Sequence, residues 1–439
     1  MRRIVLTLIA LVAALTGAAQ ASAAATLTET RLRAALAGEM RQAPASSGVY
    51  VADMDSGKEL FARRQNAVRI PASVEKLFVT SSALLRLGAS ATLQTTAVTA
   101  PGAVVTPGGV LRGDLVLVGG GDPFFGDESA ARLIRALRTA GVRRVEGAVV
   151  GDERAFDHRR RSSCCAGYDP FLGGVLSALA YDRGIFGGRA RLDAANFAAS
   201  RFTARLRNAG VPVAKSHRAG AAPQNARTLA SVPSRSIGEL SRFINVPSNN
   251  FAAEMLLLTL GARYRDSGTR ASGARVVRET LDDFGVRPKV IDGSGLSRVN
   301  RATPREVVRL LERMHRSNVA RSFRESLAVA GVSGTVRARM RGTAAASRCR
   351  VKTGTLRLVS ALAGYCRTAS GRTIGFAFMF NRANTSAAKA REDRMAAAIA
   401  RLGGSPQPAP APAPAPAPPP PPPQPPPPAA TGGGAVAQP

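Results

Sequence analysis

Ser73-Val74-Glu75-Lys76 sets a hydroxyl three residues before an amine. On a helix, positions i and i+3 share a face, so the two groups meet. A serine hydroxyl is a poor nucleophile until a neighbour takes its proton. A lysine can take it only where burial or nearby cations lower its pKa. Two more short strings lie far downstream, Ser248-Asn249-Asn250 and Lys352-Thr353-Gly354. Each string alone has an ordinary reading: an amphipathic helix with a surface lysine, a capped helix start, a hairpin with a lysine on its edge. Together, in the order S-x-x-K, S-x-N, K-T-G, they name a reaction. A serine attacks an amide or lactam carbonyl, and a lysine rather than a histidine handles the proton.

These groups need elements to hold them. Pro71 suits a helix start, where its missing N–H costs nothing. Apolar residues at 74, 77, 78, 84 and 85 recur at helical spacing. Ser73 in the first turn then keeps a free N–H at the positive end of the helix dipole. A second helix opens at the Ser248 string, with Ser248 and Asn250 pointing from its first turn. Cys349 to Leu356 reads as a strand and Val359 to Cys366 as its partner. Around them, 26–42 reads as an amphipathic helix and Val49 to Ala62 as a hairpin with a Ser-Gly turn. Further helices fall at 267–284, 303–317 and Ser386 to Leu402, and a strand at Thr373 to Asn381. Helices segregated to the faces of an antiparallel sheet make an α+β fold. From about 95 to 234 the pattern changes to short strands, Gly/Pro turns and one helix, Asp127 to Ala140.

With these motifs the chain resembles the peptidase S13 family, the low-molecular-mass class C penicillin-binding proteins that are D-alanyl-D-alanine carboxypeptidases and endopeptidases. Leu115 to Pro123 is similar to that family's Gly-Asp-Pro segment, Asp292 to Arg298 to its Asp-Gly-Ser-Gly-Leu-Ser-Arg segment, and Ala330 to Thr335 to another. The likeness runs from about residue 30 to 402. It departs in one respect: the 171 residues from 77 to 247 are few for this family. The resemblance implies a penicillin-binding-protein transpeptidase/serine β-lactamase-like catalytic domain (24–95 and 235–402), with a smaller β-rich accessory domain inserted at 96–234. It implies Ser73 as nucleophile, Lys76 as base, Ser248 as proton relay and Asn250 as holder of the substrate amide and of Lys76. Lys352 supplies positive charge for the substrate carboxylate and depresses Lys76 by repulsion. Thr353 and Thr355 add hydroxyl contacts, and Gly354 lets the substrate approach the strand. The backbone N–H groups of Ser73 and Thr355 form the expected oxyanion hole. Asp169 falls near the family's accessory-domain acid that grips an amine of the substrate peptide; its other reading is a turn aspartate before Pro170. Asp292 to Ser297 is expected to shape a supporting loop. The implied partners are peptidoglycan stem peptides ending in D-Ala-D-Ala, with β-lactams as covalent inhibitors and no cofactor.

Composition bounds the setting. Met1-Arg2-Arg3, the apolar run Ile4 to Leu15 and Ala21-Ser22-Ala23 read as a signal peptide over 1–23, with an uncleaved anchor as the alternative. An exported protein, periplasmic or cell-wall associated, follows. Residues 403–439 are Ala-Pro, poly-Pro and Gly-rich, a composition that stays extended and unpacked. The net charge is +32, from 61 basic and 29 acidic residues. Nucleic acid is rejected as the main partner, because the arginines are scattered, the chain is exported and aromatics are sparse. Anionic cell-wall polymers suit the charge better; arginine-rich composition bias is the bland alternative. Four cysteines occur without a C-x-x-C, beside three histidines, so a metal site is not expected. If the hairpin turns at Arg357-Leu358, Cys349 and Cys366 face each other across its strands and form a disulfide. Cys164-Cys165 form either a vicinal disulfide or two thiols. Two rival functions remain: a serine β-lactamase, disfavoured by the large insertion, and a non-catalytic wall-binding protein, disfavoured by the intact motifs.

Overall fold

Alternation along the strands sorts two cores. Residues Tyr50, Ala52, Ala361, Ala363, Ala377 and Met379 face one way, while Val49, Val51, Leu362, Phe376, Phe378 and Phe380 face the other. Successive side chains of a strand point to opposite faces, so this sheet is apolar on both sides and must be covered on both. The computed structural model describes residues 26–162 and 169–403. The signal-peptide reading, the Pro-rich tail beyond Gly403 and Cys164-Cys165 lie outside the described residues.

The sheet has six antiparallel strands in the order Ala328–Val329, Cys349–Leu356, Val359–Arg367, Thr373–Asn381, Gly48–Asp53 and Glu59–Arg63. One face packs on the N-terminal helix Glu29–Arg41, through Leu32, Leu36 and Met40, and on the C-terminal helix Thr385–Ala400. The other face receives the helix Lys76–Leu87 and the helices Ile237–Asn245, Asn250–Arg265, Arg270–Asp282 and Pro304–His315. Helices on the faces of an antiparallel sheet are the α+β arrangement read from the sequence. Capping boxes at Ser236/Glu239 and Thr303/Glu306 fix two of the helix starts.

Between Lys76–Leu87 and Ile237–Asn245 the chain builds a second, five-stranded mixed sheet. Its outer antiparallel pair, Thr92–Thr99 with Arg227–Ser236, carries the chain out and back. A separate apolar cluster, including Leu115, Leu133, Phe202 and Leu206, fills it. Among the described residues two α-helices pack there, not one: Asp127–Thr139 and Ala194–Asn208. The second helix is not expected from sequence, although Ala195, Ala198, Ala199, Phe202 and Leu206 do recur at helical spacing. Its small alanines and the arginines between them give only a weak apolar stripe.

In the hairpin that carries Lys352-Thr353-Gly354, Cys349 lies directly opposite Cys366 and the two are disulfide-bonded, with the turn at Arg357-Leu358. Closing a loop of this length removes denatured-state entropy worth roughly 2–4 kcal/mol. Non-reducing peptide mapping should therefore recover 349 linked to 366, and Cys366→Ala should lower unfolding free energy by about that amount. Recovery of both cysteines as free thiols would contradict the structure here.

Candidate active site

Ser73 does not sit in an α-helical turn. Residues Ala72–Glu75 form a 3-10 turn, and the α-helix proper begins at Lys76. The residues of a 3-10 helix eclipse at i and i+3, which brings Lys76 Nζ to 2.9 Å from Ser73 Oγ. Two glycines clasp this turn. A Cβ on Gly354 would lie 2.5 Å from Pro71 O and 3.2 Å from Ser73 N, and one on Gly295 would lie 2.1 Å from Ala72 O. Gly354 is thus required by the nucleophile's own turn, beyond the substrate approach expected of it from sequence. Ala72 itself has φ +48°, a conformation non-glycine residues adopt only when their surroundings hold them there.

Lys76 is fully buried. Its ammonium donates to Ser73 Oγ, to Asn250 Oδ1 at 2.7 Å and to the carbonyl of Ser294. Burial drives its pKa down to about 7, against the opposing pull of Asp292, Glu254 and Glu75. Lys352 is equally buried, and it donates to Ser248 Oγ at 2.9 Å and to Thr353 O at 2.8 Å. Burial, and secondarily the neighbouring Lys76, hold Lys352 well below its ordinary value. Desolvation is thus the largest cause of the lowering at both lysines, ahead of the repulsion between them expected from sequence.

Ser248 precedes its helix, with φ +64°, and Asn249 is the N-cap, its side chain accepting from Ala252 N. That left-handed residue turns the Ser248 hydroxyl toward Lys352, while Asn250, the first helical residue, reaches Lys76. Asn250 Nδ2 also donates to Phe171 O at 2.7 Å, fixing its amide so that Oδ1 faces the lysine. Thr353 Oγ1 bonds Thr335 Oγ1 at 2.7 Å. Ser73, Phe171, Ser248, Asn250, Thr353 and Thr355 line one cleft of about 690 Å³. The structure thus brings all three strings together.

Asp169 is not among the residues that line this cleft, although Phe171, two residues on, does. The Asp169 carboxylate is buried, accepts from Ser162 Oγ and from Phe171 N, and lines a cavity of about 210 Å³.

The loop Asp292 to Ser297 is more than a support. Asp292 accepts from Gly295 N, Ser297 N and Asn300 Nδ2 at 2.7–2.8 Å. Glu254 accepts from Ser294 N at 2.9 Å and pairs with Arg270 at 2.8 Å. These bonds aim the Ser294 carbonyl at Lys76. Sequence reasoning misses Ser294 because a backbone carbonyl leaves no signature in residue type, and misses Thr335 because its partner lies across the fold.

Glu75 is missed as well. It is fully buried, neither carboxyl oxygen has a hydrogen-bond partner among the described residues, and burial holds its pKa well above the ordinary value, helped by Asp292. A carboxyl whose folded pKa is raised is protonated in the fold but ionised when unfolded. Its cost to stability is absent below about 4.3, the unfolded pKa, and grows as pH rises above it. Glu75→Gln removes that pH-dependent cost. The difference in Tm, variant minus wild type, should become more positive from pH 4 to pH 8; a flat difference would mean Glu75 is ionised in the fold.

Comparison with known proteins agrees with this geometry. The sequence matches the D-Ala-D-Ala carboxypeptidase 3 (S13) family over residues 31–169 and 173–402. It is 30% identical to a D-alanyl-D-alanine carboxypeptidase of Actinomadura sp. (strain R39), covering 82% of each chain. It is 29% identical to a carboxypeptidase of Mycobacterium tuberculosis, over 78% of this chain and 77% of that one. The structure superposes on penicillin binding protein 4 from Haemophilus influenzae with a TM-score of 0.69 at 20% identity, over 82% of this chain and 97% of that one. The chain belongs to the D-Ala-D-Ala carboxypeptidase 3 (S13) family of serine-type carboxypeptidases.

Proposed function

We propose that this enzyme removes the terminal D-alanine from peptidoglycan stem peptides through a Ser73 acyl-enzyme, and cleaves D-Ala cross-links by the same step. The observation that carries the reading is Lys76 Nζ, stripped of water, 2.9 Å from Ser73 Oγ. Neutral Lys76 takes the Ser73 proton as Oγ attacks the penultimate D-alanine carbonyl. The N–H groups of Ser73 and Thr355 hold the developing oxyanion, a contribution of about 3 kcal/mol for each donor. Ser248, bonded to Lys352, gives its proton to the departing amine and is reprotonated from Lys76, which is thereby neutral again. Water then hydrolyses the ester: neutral Lys76 takes the water's proton and returns one to Ser73 Oγ as the ester breaks. The substrate carboxylate, arriving beside Lys352, favours the charged form of the lysine against the desolvation that opposes it. β-Lactams acylate Ser73 in the same way.

Residues 96–234 form an accessory domain in this reading, supported by their own sheet and apolar cluster. Wall-peptide chemistry implies work outside the cytoplasm, consistent with the N-terminal signal-peptide pattern. Among the described residues no helix is long and apolar enough to cross a membrane. The net charge of +32 supports association with anionic wall polymers.

Fluorescent penicillin should label the wild type covalently and should fail to label Ser73→Ala. Its acylation rate should rise with pH and level off above about 7, as Lys76 loses its proton. Label retained in Ser73→Ala would remove Ser73 as nucleophile. Turnover of the bound penicillin should be far below one per second as an order of magnitude; rapid hydrolysis of a chromogenic cephalosporin would favour the β-lactamase reading.

Lys352→Ala should cost about 2–5 kcal/mol in kcat/KM for a pentapeptide. Amidating the peptide's terminal carboxylate should hurt the wild type greatly and the variant little. Equal sensitivity of both proteins to amidation would take carboxylate recognition away from Lys352.

A further inference from the structure

A second cleft, of about 840 Å³, opens between the segment His158 to Ser162 and the helix Arg270–Asp282. Six arginines line it among the described residues: Arg159, Arg160, Arg161, Arg270, Arg275 and Arg278. We propose that this cleft binds a phosphodiester polyanion of the cell envelope, holding the enzyme on its substrate matrix. The source of the polymer rests on the wall-peptidase reading; the anion site itself rests on the cleft.

Two of the arginines are anchors. Arg160 pairs with Glu153 and donates to the carbonyls of Leu176 and Leu192. Arg270 pairs with the buried Glu254. Three others present charge to solvent: Arg159, Arg275 and Arg278 are exposed, and their guanidinium groups make no ion pair or hydrogen bond among the described residues. The reason is local. Of the acids on the same helix, Glu279, which also attracts Arg275, is paired with Arg265, and Asp282 is paired with Arg287. Glu153 is already taken by Arg160. A positive excess therefore remains, and concave low-dielectric walls concentrate its field.

The arrangement also selects the kind of anion. A guanidinium fork matches the paired oxygens of phosphate or carboxylate. Arg275 and Arg278, at i and i+3, stand side by side on one helix face, and Arg159 faces them from the other wall. One small anion satisfies one or two of these groups. A polymer with a charge at every repeat satisfies all three, whereas a stem peptide presents its carboxylates singly. Apart from His158 the described lining has no aromatic ring on which a nucleic-acid base could stack, so a base-free phosphodiester chain fits better than single-stranded DNA.

The test titrates the full-length protein with poly(glycerol phosphate) at several salt concentrations. It compares wild type, Arg159→Ala/Arg275→Ala/Arg278→Ala, and a charge-matched control, Arg31→Ala/Arg135→Ala/Arg189→Ala, whose three arginines are exposed elsewhere. The cleft variant should lose at least about tenfold in affinity, and its salt slope should flatten by about 0.7, the single-strand value, for every phosphate that the wild type neutralises there and the variant does not. The control should stay within about twofold of wild type. Equal losses in both variants would overturn the proposal, leaving net charge as the cause. Equal or tighter binding of polyglutamate or of single-stranded DNA by the wild type would overturn the phosphodiester assignment. Fluorescent penicillin should label all three proteins, showing them folded. Failure of the wild type to label would strike the catalytic reading and leave the cleft comparison standing.

Discussion

A lysine amine without water around it is the constraint on which the rest of the structure depends. An exposed lysine is protonated at neutral pH and cannot act as a base. Lys76 is buried beneath the nucleophile, and desolvation lowers its pKa to about 7. Everything nearby serves to keep that amine dry, satisfied and aimed. Asn250 and the Ser294 carbonyl accept its hydrogen bonds, which a buried polar group must find. The cost of hiding a cation is limited because the cation need not persist.

The same burial explains the company Lys76 keeps. Glu75 and Glu254 are both raised in pKa by burial, with Asp292 as the next cause. Burial also disfavours the charged form of Lys352. Desolvation thus works against charge on all four of these buried groups, and at Glu254 the ion pair with Arg270 opposes it.

Much of this is legible in the residues. The three strings, the α+β pattern and the Cys349–Cys366 pairing follow from spacing, because i,i+3 on a helical turn and register across a hairpin are local geometry. What stays hidden depends on distant parts of the chain. Gly354 reads as room for the substrate and Gly295 as part of a supporting loop, yet the Pro71-Ala72-Ser73 backbone presses on each and leaves no space for a Cβ. Asp169 carries two readings, and only the fold shows its carboxylate bonded to Ser162 and to the backbone of Phe171, a residue of the cleft. The helix Ala194–Asn208 is lost among alanines and arginines. That desolvation lowers both lysines needs the burial of each amine, which no string of residues contains.

The ionisation of Lys76 itself is the most direct test of a desolvated base. Protein carrying lysine enriched with 13C at Cε, followed by NMR across pH and assigned by loss of one signal in Lys76→Arg, reports that pKa without substrate or turnover. Burial beneath Ser73 predicts a midpoint near 7 for the Lys76 signal in the free enzyme. A midpoint near 10.4, the value of an ordinary lysine, would contradict it.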